Sequence, residues 1–369
     1  MIYITKIEKE YCYEKLHTLF KKDKIGVKQD KAAHKILQKQ PIIRKVLLAL
    51  LPCVAGSIYF FGWRSLAIVV WACIVGFFTE LIFTRSRNKP VTEAVFVTTI
   101  IFALILPPTV GFHVVTIGVI FAVMFSKEVF GGFGKNIFNP AMAGRCFVYI
   151  CFPLAMTATW APAADGFWGA LGKWTTVNSP DAITSATPMT QLKNGKLIIT
   201  NDIQDFKLQP DIQITTPKKM LSQLFFGRIS GTMGVTSALL ILIGGMYLFI
   251  TKTASRTIII SVIAAYALLN QLLNQFGVAP VPQAWNAVFG GGFLFGAFFM
   301  ATDPVSAPRT ETAKIFYGII IAICTVVIRN FSIFNGGLMF SILIGNMFAP
   351  TLDNIVRNFK KSKKPEAAT

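Results

Sequence analysis

Ten apolar runs constrain this chain more than any other feature. They lie at Val46–Phe61, Leu66–Phe83, Ala94–Leu106, Phe112–Phe125 and Ala141–Ala155, then at Val235–Ile250, Thr257–Leu273, Ala287–Met300, Ile315–Ile328 and Gly337–Leu352. Several reach the roughly 15 to 20 residues that cross a bilayer as a helix. Lipid offers the backbone no hydrogen-bond partner, so a segment buried there must satisfy its own amides. The composition agrees, with 53% hydrophobic against 14% charged residues, too apolar for an ordinary soluble domain. The expected fold class is therefore an all-α polytopic membrane protein with ten transmembrane helices.

A net charge of +19 would also suit a nucleic-acid binder, but its distribution argues against that class. Twelve of the 36 basic residues precede Val46 and five follow Leu352, so they flank the apolar body instead of forming a groove. No nucleic-acid partner is expected. With the N-terminus inside, nine basic residues fall in the short inner loops: Arg85, Arg87, Lys89, Lys127, Lys135, Lys252, Arg256, Arg309 and Lys314. Only Arg64 and Arg329 fall outside, which obeys the positive-inside rule. The resulting divisions are a basic cytoplasmic segment 1–45, a five-helix group 46–156, an outward loop 157–234, a second group 235–353 and a basic cytoplasmic tail 354–369. The first 45 residues lack the basic-then-apolar layout of a cleavable signal and are expected to remain.

Five helices per group turn the second group over relative to the first, so internal homology would be an inverted repeat. At one offset of 196 residues, Ile137-Phe138-Asn139 recurs as Ile333-Phe334-Asn335, and Pro107-Pro108 corresponds to Asp303-Pro304. Proline-broken helix ends are tolerated within a membrane only where protein or a cavity surrounds them.

Few side chains are suited to chemistry. The six cysteines form no C-x-x-C pair and none lies at ligand spacing from a histidine, so no protein-ligated metal is expected. Glu80, Asp303 and Asp353 stand near the inner ends of the second, eighth and tenth runs. A carboxylate at membrane depth is costly unless paired, hydrated or cation-bound, which makes each a functional candidate; for Asp353, a plain helix-end position is the competing reading. Asn136 and Asn139 carry amides able to hydrogen-bond a planar, many-acceptor ring. Asn139 before Pro140 also has the form of a helix N-cap. Arg145 either neutralises an anion or pairs with Glu128. In the outward loop, Asp181-Ala182-Ile183-Thr184-Ser185-Ala186-Thr187-Pro188 exposes a hydroxyl on a short polar segment.

That segment resembles the flavinylation motif, in which a Mg-dependent flavin transferase esterifies the last threonine, here Thr187, with the phosphate of FMN. Lys127-Glu128-Val129-Phe130-Gly131-Gly132, Gly134-Lys135-Asn136, Phe138-Asn139-Pro140-Ala141 and Gly144-Arg145 resemble a glycine-rich signature. That signature is shared by the NqrB/RnfD family, whose members are the NqrB component of the Na+-translocating NADH:quinone oxidoreductase and the RnfD component of the related Rnf complex. Phe299-Met300-Ala301-Thr302-Asp303-Pro304-Val305-Ser306 and Phe96-Val97-Thr98-Thr99 extend the resemblance to about four fifths of the chain. The Lys-Glu-Val-Phe and Asp-Pro-Val-Ser forms favour the quinone-reductase component over the Rnf one.

The resemblance implies a subunit of a bacterial inner-membrane oxidoreductase with covalent FMN on Thr187 and noncovalent riboflavin near Asn136, Asn139 and Asp303. It implies quinone near Gly76, Phe77 and Glu80, and Na+ transport through Glu80, Asp303 and Asp353. The implied partners are an NADH-, FAD- and iron-sulfur-bearing subunit and a second FMN subunit. No dinucleotide site of its own is expected, because Gly131-Gly132-Phe133-Gly134 follows a membrane helix and not a strand. Two departures stand out: Phe77 replaces the second glycine of the family's quinone-site pair, and Val235 replaces an acid in Gly-Glu-Thr-Ser. An Rnf-type subunit, a flavin-free secondary transporter or channel and a structural membrane scaffold are the alternatives.

Overall fold

The computed structural model describes residues 37–157, 160–161, 163–164, 168–172, 174, 217–332 and 336–362. Among these residues the fold is almost wholly helical. Helix α1 (Pro41–Phe61) begins on a proline, whose fixed φ suits the first helical position. It stops at Gly62, where φ is 82°, a left-handed value that a residue with a Cβ rarely adopts. This single residue lets α2 (Trp63–Ser86) start at once and pack back on α1.

Next come α3 (Ala94–Leu104) and α4 (Phe112–Val123), the latter continued by one π turn, Met124–Glu128. Helices α5 (Pro140–Cys151) and α6 (Pro153–Thr157) close the first group. After α7 (Pro217–Phe226), the second group holds α8 (Ala238–Ile250) and α9 (Arg256–Gln275). It continues through the short α10 (Ala284–Phe289) and α11 (Phe293–Phe295), a second π turn at Gly296–Met300, then α12 (Glu311–Phe331) and α13 (Gly337–Ser362). Two-residue strands β1 (Leu37–Gln38) and β2 (Val91–Thr92) pair in parallel, and Gly62 and Trp174 form an isolated antiparallel bridge.

Each of the ten apolar runs carries helix, but among the described residues only five helices are long and apolar enough to cross a membrane: α1, α2, α9, α12 and the Gly337–Lys360 part of α13. The eighth run is not one helix. Gly290, Gly291 and Gly292 interrupt it, the last two with positive φ, separating α10 from α11 and the π turn that continues it. The third run ends early, as its prolines require. There the Leu104 and Leu106 carbonyls, which α3 leaves without partners, accept hydrogen bonds from Gly234 N (2.8 Å) and Met233 N (3.0 Å). A segment from the second group thus completes a helix end in the first. The two groups also share one continuous core, with Leu50, Phe102 and Ala141 of the first meeting Ile241, Phe293 and Ile342 of the second.

Two positions depart from the loop-charge count. Lys127 and Arg329, expected as loop cations, are 2% and 1% exposed and lie inside the first π turn and inside α12. Each has internal partners strong enough to hold it there, which hydropathy along the chain does not register. The Ile333-Phe334-Asn335 half of the sequence repeat lies outside the described residues.

Candidate functional site

A cleft opens where the start of α1, α3, the glycine-rich loop before α5, the end of α8 and the second π turn converge. Its polar lining includes Asn136, Asn139, Asp303, Lys127, Thr98 and Thr302, against walls that include Phe133, Phe298 and Phe299. Asn136 and Asn139 lie over 160 residues before Asp303, yet all three face one cavity of about 80 Å³. That volume holds a few waters, so a three-ring ligand requires the walls to part.

Local structure places each of these residues. Asn139 caps α5: its Oδ1 accepts from Ala141 N (3.1 Å) and Met142 N (3.4 Å), with Pro140 at the first helical position. Its Nδ2 donates to the Met300 carbonyl at 3.1 Å, so the capping residue also satisfies the end of the second π turn. Asn136 donates to the Phe138 carbonyl at 3.1 Å. Asp303 accepts from Ser306 Oγ (2.8 Å) and Val305 N (3.3 Å), a local turn that leaves it half-buried at the cleft.

Beside the cleft is a buried charge network. Glu80 on α2 is 1% exposed, and its Oε1 accepts from Thr92 N (2.9 Å) and Thr92 Oγ1 (2.7 Å). Its Oε2 accepts from Lys127 Nζ at 2.5 Å, and the same ammonium donates to Thr92 Oγ1 at 2.8 Å. Every oxygen of the carboxylate is therefore occupied, which is what keeps a charge tolerable in the interior. Glu128, next in the π turn, accepts from Arg87 Nη1 at 3.0 Å, while its buried Oε1 has no partner. Arg87, and not Arg145, is the partner of Glu128. A Cβ added at Gly132 would lie within 4 Å of both of these groups, and its φ is +95°, so the turn that closes this network needs glycine.

The other candidates are placed as follows. Gly76 is buried where α2 crosses α3 and α4, and an added Cβ would collide with the Thr99 methyl. Phe77 stacks on Phe96 with ring centroids 6.3 Å apart. These two and Glu80 share α2, but among them only Glu80 reaches the cleft's edge, through Lys127. Asp353 holds the N-terminus of α12, accepting from Arg309 N (2.8 Å), Thr310 N (2.9 Å) and Thr310 Oγ1 (2.8 Å). Arg145 has a buried Nε without a hydrogen-bond partner and lies within electrostatic range of Tyr149 and Arg329. Arg329 donates to Tyr266 Oη (3.2 Å) and to the Gly290 (3.3 Å) and Gly291 (2.5 Å) carbonyls, holding the triple-glycine break. Val235 packs on Gly292 in that break, so an apolar contact stands where the family's acid was expected. Thr187 and its motif lie outside the described residues.

Sequence reasoning did not find Lys127, Thr92 or Arg87 as members of the site. Lys127 was legible only as part of the glycine-rich signature, and its burial depends on Glu80, 47 residues earlier.

Comparison with known proteins settles the lineage. The model of the NQR2, RnfD, RnfE family matches residues 28–361. The chain belongs to that family. It is 38% identical over 313 residues to NqrB of the Na(+)-translocating NADH-quinone reductase of Ectopseudomonas mendocina, covering 82% of this chain and 68% of the relative. NqrB of Pseudoalteromonas atlantica is 38% identical over 77% of this chain and 64% of its own length. For that of Chromohalobacter salexigens the identity is 36%, over 85% and 70%. The chain thus spans about two thirds of the length of these relatives. Membership makes it a multi-pass membrane protein, as its five long apolar helices also indicate.

Proposed function

We propose that this chain is the membrane component of a Na+-pumping NADH:quinone oxidoreductase, passing electrons from covalent FMN on Thr187 through riboflavin to quinone. The observation that carries the reading is the cleft: Asn136, Asn139 and Asp303, singled out from separate motifs, line one cavity together. The chemistry of this lining suits a flavin. Amides and hydroxyls can meet the ring's polar edge, and Phe133, Phe298 and Phe299 can meet its faces. A flavin bound there would supply one- and two-electron transfer. Asn139 is held by the start of α5 and by the Met300 carbonyl, whereas the bonds of Asn136 to Phe138 and of Asp303 to Val305 and Ser306 are local and exchange for ligand contacts at less cost to the fold. The names of the relatives above, all NqrB, favour this reading over the Rnf-type one.

The architecture that goes with it is ten membrane crossings in two inverted repeats. Support comes from the element starts: Pro41 and Ala238, Trp63 and Arg256, Ala94 and Phe293, Phe112 and Glu311, and Pro140 and Gly337 are each 193 to 199 residues apart. Both termini then lie on the cytoplasmic side of a bacterial inner membrane, with quinone near Gly76, Phe77 and Glu80, and cations passing Glu80, Asp303 and Asp353. The partners are an NADH-, FAD- and iron-sulfur-bearing subunit, a second FMN subunit and, for maturation, a flavin transferase.

The decisive experiment is a denaturing gel viewed under ultraviolet light, with wild type and Thr187→Ala each expressed beside an active flavin transferase. Fluorescence that survives denaturation in wild type and vanishes in the variant supports the reading. A dark wild-type band refutes the covalent flavin and leaves the transporter alternative.

A further inference from the structure

The Lys127 ammonium occupies a place that a small cation would fit. It bonds to Glu80 Oε2 and Thr92 Oγ1, two oxygens fixed by separate elements, and Thr92 N and Oγ1 hold the other carboxylate oxygen in position. Oxygen ligands of this kind, a carboxylate and a hydroxyl, suit hard monovalent cations as well as an ammonium. A third acidic oxygen is at hand: Glu128 lies within electrostatic range of Glu80, and its buried Oε1 has no hydrogen-bond partner. Removing Lys127 from this cluster would leave Glu80 and Glu128 facing Arg87 alone, a deficit of one positive charge.

The lysine also has somewhere to go. Lys127 lines the cleft itself, its Nζ lies 5.9 Å from the Phe133 ring centroid, and Asp303 lines the same cavity. Its four-carbon stem rotates freely compared with an arginine fork. It is carried on a π turn, an irregularity frequent at functional sites.

We propose that Lys127 is a tethered cation occupying a monovalent-cation site built by Glu80 and Thr92, and that Na+ takes this site when the ammonium moves into the cleft beside Asp303. Resting on the reading of the chain as a Na+ pump, this makes Lys127 the positioning residue that couples the cleft to the cation path. A negative charge arriving in the cleft would attract the ammonium away from Glu80, and by reciprocity Na+ binding at Glu80 would favour an anionic occupant of the cleft.

The test uses the full chain purified from membranes with its bound subunits. Binding of radioactive Na+ is compared among wild type, Lys127→Met, and Lys127→Met combined with Glu80→Gln. Loss of the competing ammonium should tighten one Na+ site about tenfold or more, since apparent affinity rises with the fraction of free sites. The double variant should lose that site. Unchanged Na+ binding in a folded Lys127→Met protein overturns the proposal.

Should Lys127→Met not fold, the wild-type protein answers through the reactivity of Lys127 toward a small amine-modifying reagent, read by peptide mass spectrometry. Na+ should raise the modification of Lys127 several-fold where choline does not; equal or lower modification in Na+ overturns the proposal. Both readouts are independent of the covalent flavin. A fluorescent chain without a Na+ response refutes the tethered cation alone, and a dark chain refutes the broader reading.

Discussion

Replacing Asp353 by Ala separates a structural carboxylate from an ion-conducting one. Its two oxygens accept from Arg309 N, Thr310 N and Thr310 Oγ1 at 2.8 to 2.9 Å, and the amides open into the first turn of α12. A hydrogen bond to a charged group typically contributes about 1.5–3 kcal/mol. The negative charge at a helix N-terminus adds about 0.3–1 kcal/mol. Arg309 is exposed, so water can restore one of the freed donors. The expected cost is then about 2 kcal/mol for Ala, and about half that for Asn, which keeps one acceptor oxygen. At 1.4 kcal/mol per tenfold, amide hydrogen exchange in the first turn of α12 should accelerate roughly thirtyfold in Asp353→Ala. The assay is exchange mass spectrometry on the peptide covering Thr310 to Tyr317, with Na+-stimulated quinone reduction measured on the same sample. Unchanged exchange together with a large shift in Na+ dependence would refute the anchoring argument and leave Asp353 to the cation path alone.

Gly76→Ala should destabilise by about 1–3 kcal/mol, the usual range for overpacking, because the new methyl meets Thr99 Cγ2. Thr99→Ser removes that methyl and should recover a measurable part of the loss in a double-variant cycle, whereas strict additivity would show the collision to be elsewhere. Glu93 has its carboxyl held below the ordinary value of 4.5 by the hydrogen bond from Arg44 and then by that from Gln40 N. A depressed carboxylate contributes stability that is complete above its unfolded value and lost as pH falls through its folded one. The thermal midpoint of Glu93→Gln should therefore lie below that of wild type at neutral pH, with the gap closing under acid conditions; a gap constant with pH contradicts this.

Much of the site was legible because its motifs place chemistry on short stretches of chain. Asn139-Pro140 announces a helix start, and the hydrogen bonds from Ala141 N and Met142 N bear it out. Its second bond, to the Met300 carbonyl, was not legible, since nothing near Asn139 in sequence marks a partner 161 residues away. The partners of Glu128 and Asp353 were not legible either. Glu128 takes Arg87 from 41 residues earlier, and Asp353 takes the backbone amides that lead into another helix, neither of which hydropathy can rank. The two π turns have no compositional signature here, yet both border the cleft.

The amino-acid sequence by itself determined the apolar segments, their proline and glycine breaks, and the family motifs, because those depend on local propensity and on the cost of exposing or burying each stretch. Tertiary structure decided which charges are buried together. Lys127 and Arg329 look like loop cations to any reading of neighbours along the chain. They become interior residues only because Glu80 and Thr92 in one case, and Tyr266 with the Gly290 and Gly291 carbonyls in the other, converge from distant segments. A buried charge is tolerated by its partners, and partners are set by packing in three dimensions.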